Sequence, residues 1–160
     1  MSAVLSFVNS WKVCERSCFD YIGRGLGTIE GIQGFTQDTM PREMTGAEDN
    51  FYLWTFKISG GAVDVQRNTR LECHGGVWTM DAEFMAVCTS DNIAKEVGGT
   101  IMGILPANND DIAGLGRLYA TSFPAIERTT RSVVTDQDAG QERVFFEVRI
   151  QMRAVFSNME

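Results

Sequence analysis

Cys14, Cys18, Cys73 and His74 have the widest chemical range in this chain, because thiols and an imidazole can ligate zinc or act as nucleophile and base. Cys14 and Cys18 stand four apart in a stretch with helical spacing, which puts them on one face. Together with Cys73 and His74 they would make a Cys3His zinc set, which requires four converging ligands. Cysteine is equally a small core hydrophobe. With Cys88 the thiols are irregularly spaced in a chain too long to need a disulfide framework, so free thiols are expected. His74, beside Cys73 and Gly75, has no third group at recognisable spacing to orient it as a base, and a turn histidine is expected. Asp81 and Glu83 fall on one strand face and so invite comparison with the paired carboxylates of a glycosidase. Nothing nearby in the sequence raises the pKa of one of them, so they are read as a solvated face. Gly23, Gly25 and Gly27 suggest a phosphate loop, but a helix precedes them and no Lys-Ser/Thr pair closes the loop. No catalytic, cofactor-binding or metal residue is expected, and the chain is not expected to be an enzyme.

The elements that would position these groups follow from periodicity. Residues 144–156 alternate: Val144, Phe146, Val148, Ile150, Met152, Ala154 and Phe156 against Phe145, Glu147, Arg149, Gln151, Arg153 and Val155. That is a long strand with one buried and one wetter face, and a sheet of matching size must receive it. Residues 51–59, ended by Gly60 and Gly61, and residues 77–88 alternate in the same way, with Asp81 and Glu83 on the wetter face of the second. Residues 118–126 read as a further strand in which Pro124 marks an edge or a bulge. Ser2 and the stripe from Val4 to Ile22 predict an N-terminal helix stopped by the glycines from Gly23. A second helix starts at Thr89, Ser90 and Asp91 and ends at Pro106; Gly99 and Gly103 form a small-residue face on it for close approach to the sheet or another chain. Residues 23–50 read as a long loop contacting a partner subunit, with short strand pieces at most around 28–35. Residues 127–143 read as a polar hairpin projecting from the body.

The expected architecture is α+β: a mostly antiparallel sheet of about four main strands, two helices on one face, a long loop and a polar hairpin. One domain spans residues 1–160. A formal charge of -7, from 21 acidic and 14 basic residues, argues against a dedicated nucleic-acid binder. No apolar run approaches the roughly 20 residues of a membrane span, and residues 1–8 lack the pattern of a signal peptide, so cytoplasmic synthesis is expected.

This order of elements resembles the tail terminator, or tail completion, proteins of long-tailed bacteriophages. The similarity is greatest from Trp78 through Cys88, the helix from Asp91 to Leu105, and the strands beginning at Leu118 and Val144. The resemblance implies a virion protein assembled in the host cytoplasm: a homo-oligomeric, hexameric ring that caps the tail tube and meets the head connector or neck proteins. It implies no cofactor, specific nucleic acid or membrane as partner. Glu147, Arg149 and Arg153 on the last strand, with Arg128 and Arg131 on the hairpin, are the candidate subunit-interface residues. A related tail tube or neck protein is the near alternative. A small-ligand or enzyme domain, with a pocket between helices and sheet, is the distant one.

Overall fold

A computed structural model describes residues 3–29, 31–36, 44–45, 52–63, 76–108, 112, 116–134 and 141–158. Helix α1 (Ala3–Leu26) is followed by β1 (Ile32–Phe35), β2 (Met44–Thr45), β3 (Tyr52–Val63), β4 (Gly76–Cys88), α2 (Asp91–Ile104), β5 (Gly116–Ala120), β6 (Ala125–Val134) and β7 (Gln141–Asn158). The chain is α+β with two helices and a curled, mixed sheet. The sheet has seven strands in the order β1-β3-β4-β7-β6-β2, with β5 also on β7. The antiparallel run β3-β4-β7-β6 forms its centre, which matches the expected sheet of about four main strands only roughly, and β1 and β2 add parallel pairings to β3 and β6.

The alternation decides which side is packed. Trp54, Phe56 and Ile58 of β3, Met80, Phe84 and Cys88 of β4, and Val148, Ile150 and Met152 of β7 are buried in one core. The helices close that core with Cys14, Cys18, Ile22 and Leu26 of α1 and Ala94, Val97 and Ile101 of α2. Each such large aliphatic or aromatic side chain contributes about 1.5–3 kcal/mol of transfer free energy. Phe19 stacks on Trp54 at 4.5 Å between centroids, and Trp54 lies 5.9 Å from Phe84.

Of the glycines expected to stop α1, Gly23 and Gly25 lie inside it, and the helix ends at Leu26 with Gly27 directly after it. A Cβ at Gly25 would sit 2.7 Å from Cδ1 of Ile104, so this residue permits the crossing of α1 over α2. Tyr21 secures the crossing by donating from its hydroxyl to the Ile104 carbonyl at 2.5 Å, one of the C-terminal acceptors a helix leaves unpaired. On α2 the close approach to the sheet is made one position before the expected Gly99. Gly98 faces Pro124, whereas Gly99 and Gly103 are exposed with nothing near their Cβ positions.

Two strand boundaries also differ from expectation. β3 continues through Gly60 and Gly61, because its pairing with β4 shifts by one residue between Ile58 and Gly60 and bulges Ser59 out of register. The strand expected over 118–126 is two strands in line along β7. Residues 121–124 stand opposite only Ile150 and Gln151 there, a break held by Thr121 N donating to Gln151 O at 2.8 Å and Gln151 N donating to Ser122 Oγ at 3.0 Å. Pro124 is thus at a bulge, and Phe123 is turned out, 84% exposed. The polar stretch expected to project as a hairpin is paired strand up to Val133 opposite Gln141; its tip, 135–140, lies outside the described residues.

Candidate functional site

The sheet face turned away from the helices holds most of the chain's organised polar groups. Register sets its rows. Leu53, Val87, Glu147 and Glu127 form one row; Thr55, Met85, Arg149 and Ala125 the next; Lys57, Glu83 and Gln151 a third. At the first row Leu53, Val87 and Phe145 make a small second core, flanked by Phe35 and Met85.

Glu147 sits at the edge of this small core and is only 4% exposed. A carboxylate there requires paired donors. Arg131 supplies Nη2 at 2.8 Å to Oε2, and Arg149 supplies Nε at 2.6 Å to Oε1, with its Nη2 also against Oε1. Burial pushes the Glu147 carboxyl up, but the hydrogen bonds and charges of Arg131 and Arg149 outweigh it and hold the group below its ordinary value. Arg149 also reaches Glu83 at 3.1 Å, and Glu83 accepts from Gln151 Nε2 at 2.8 Å. One polar network therefore ties β4, β6 and β7 together. Arg153 and Asp81 form a looser pair at 3.7 Å, and the Arg153 Nε is buried without a hydrogen bond among the described residues.

The candidate interface residues thus divide. Arg131, Glu147, Arg149 and Arg153 share the helix-free face, but Glu147 and Arg149 are already committed within the chain. Arg128 stands opposite Phe146 on the other face, exposed beyond the helices. Asp81 and Glu83 do lie on one face, each facing an arginine of β7 rather than each other. Sequence spacing alone did not reveal Lys57 and Thr55 as neighbours of Arg149, since three strands must be in register to bring them together.

The thiols went another way. Cys14 and Cys18 are buried in the core, and the Cys18 thiol is pushed up by its hydrogen bond with Cys14 and by burial. Burial raises Cys88 to about 12. All three are shut away from solvent in the core and so from external reactants. Cys73 and His74 lie outside the described residues, and among those described no group of His, Cys, Asp and Glu side chains is placed to hold a metal ion. Nor is any described helix long and apolar enough to cross a membrane.

Two hollows stand out among the described residues. A cleft of about 390 Å³ runs between α1 and β3 beside the end of β1, lined by Lys12, Glu15, Arg16, Phe19, Thr36 and Phe56 among others. There Glu15 accepts the Ile58 N–H at 3.0 Å, a β3 edge donor past the last residue that β1 pairs. The second hollow, about 180 Å³, lies on the charged face. No protein-family model matches the chain, and no curated protein matches it significantly.

Proposed function

We propose that this chain is a structural assembly subunit that closes into a homo-oligomeric ring, in the manner of the phage tail terminators its element order resembles, to cap a tail tube and join it to the head. The observation that carries the reading is the one-sided placement of both helices, which leaves the charged sheet face and the β6–β7 hairpin for contacts with other chains. Along 125–132 the outer edge of β6 has no strand partner among the described residues, because β2 pairs only Val133 and Val134. Unpaired edges are sites where another chain can add. Phe123, turned out at the start of that edge, is suited to anchor such a contact. Whether the subunit is a terminator, a tube or a neck component depends on what lies above and below the ring.

Native mass spectrometry with negative-stain imaging tests this directly: a ring of uniform mass is expected, and a monomer at micromolar concentration would reject it. Arg153→Gln is the informative variant. Its ion pair is long and half-exposed, so the fold should lose only tenths of a kcal/mol, while the assembled mass should fall. Arg149→Glu is a poor choice, because it sets a third carboxylate beside Glu147 and Glu83 and so disrupts the fold itself.

The cleft between α1 and β3 favours a second reading, a small-ligand domain with its pocket between helix and sheet. Its size is within the roughly 300–1,000 Å³ of drug-sized sites. Saturable stabilisation of a monomer by an amphiphilic aromatic compound, abolished by Phe19→Ala, would support that reading over the ring.

A further inference from the structure

We infer that the hollow bounded by Thr55, Lys57, Glu83, Met85 and Arg149 on the helix-free face is a socket for a single oxyanion, either a carboxylate or a phosphate group. Lys57 stands directly opposite Glu83 in the β3–β4 register, where a cross-strand ion pair would be the ordinary outcome. It makes no hydrogen bond or ion pair among the described residues. The reason is that Glu83 is already used from the β7 side: Arg149 Nη1 donates to its Oε1 and Gln151 Nε2 to its Oε2. Glu147 is likewise occupied, Oε1 by Arg149 and Oε2 by Arg131.

Glu83 and Glu147 therefore have a donor at each oxygen, and the wall of the hollow itself carries two cations, Lys57 and Arg149, against one carboxylate, Glu83. One positive charge is left over in a chain whose net charge is -7. The hollow lies where that excess sits, between the Thr55–Met85–Arg149 row and the Lys57–Glu83 row. Arg149 is held in place by Glu147 and Glu83 and retains part of its donor set for a third acceptor. An anion here gains charge-assisted hydrogen bonds from a guanidinium that is already oriented. Glu83 repels it little, being neutralised from the other side. At about 180 Å³ the hollow is smaller than the roughly 300 Å³ from which drug-sized sites begin, so it holds one headgroup and not an extended ligand.

The anion has two possible sources: free in solution, or carried on a second copy of this acidic chain. One experiment separates them. The methyl resonances of Met85 and Thr55 are followed in labelled full-length protein while sodium phosphate is titrated against sodium chloride at matched ionic strength, and native mass is recorded in parallel. A saturable shift in phosphate alone is expected, weakened about tenfold or more in Lys57→Ala, in line with the loss of one charge-assisted bond, and retained in Lys57→Arg. If the anion belongs to another copy, phosphate or Lys57→Ala also lowers the oligomer mass; if it is free, the mass stays constant while the shift persists. The socket is rejected if phosphate acts no differently from chloride and Lys57→Ala leaves the mass unchanged, or if the variant responds to phosphate as the wild type does. A ring with that null result would reject the socket and leave the assembly reading standing; a monomer that takes up phosphate through Lys57 would do the reverse. The urea midpoint of Lys57→Ala, expected to match wild type, confirms that the variant is folded.

Discussion

The two faces of β7 do different work with the same backbone. Toward the helices, Val148, Ile150, Met152 and Ala154 are buried and find apolar neighbours on β4, α1 and α2. Toward the opposite side, the strand carries Glu147, Arg149, Gln151 and Arg153, whose partners are individual donors and acceptors at fixed distances. Apolar packing is non-directional and tolerates volume-conserving change. The polar network is directional, and losing one member leaves others unsatisfied. The packed face should therefore set how much free energy holds the fold, and the charged face which strand meets which.

That division can be broken on either side. Phe84→Ala should have the largest effect, about 3–5 kcal/mol, because Phe84 is fully buried beneath the Trp54 and Phe19 stack. A fall in the urea midpoint at unchanged slope measures it. Glu147→Gln should cost less, about 1–3 kcal/mol at neutral pH, since Arg131 and Arg149 are each more than a third exposed and return partly to water. The variant also has a pH signature. The folded Glu147 carboxyl lies below its ordinary value of 4.5, so its contribution is complete above that pH and is lost as pH falls through the lower folded value. The gap between wild type and Glu147→Gln should thus be constant from neutral pH to about 5 and narrow on further acidification. A gap that widened in acid would mean that Glu147 is not held as a paired carboxylate.

The same contrast explains what could be read from the chain. The packed face was legible because a period of two, carried by residues such as Phe84 and Ile150, places each side chain by itself and needs no knowledge of neighbours. Most of β6 reads as a projecting polar hairpin, not as a strand of the sheet, because it offers no such signal: Arg128 and Thr130 face the side beyond the helices, and Glu127 and Arg131 face the charged side. It is a strand because β7 pairs with it. The sequence placed Glu147 and Arg149 on one face, two apart, but not Arg131 beside the one or Glu83 beside the other, which follows only from the register of three strands. β1, four residues of Ile-Gln-Gly-Phe, is too short for periodicity and gains its place by parallel pairing with β3.

The smallest effect tests how closely α2 lies on the packed face. Replacing either Gly98 or Gly99 with alanine gains about 1 kcal/mol of helix propensity, so any difference between them belongs to the surroundings. A Cβ at Gly99 meets nothing within 4 Å, and Gly99→Ala should raise stability by most of that amount. At Gly98 the new carbon would lie 3.1 Å from Pro124 Cβ and 3.4 Å from its Cγ, atoms of a rigid ring that also forms part of the bulge opposite Ile150 and Gln151. Overpacking of that kind costs about 1–3 kcal/mol, so Gly98→Ala should come out destabilised by up to about 1–2 kcal/mol after the propensity gain. Thermal melts of the two variants should move in opposite directions. If both rose, α2 would not be seated on Pro124, and the bulge between β5 and β6 would owe its position to the backbone bonds of Thr121 and Ser122 with Gln151 alone.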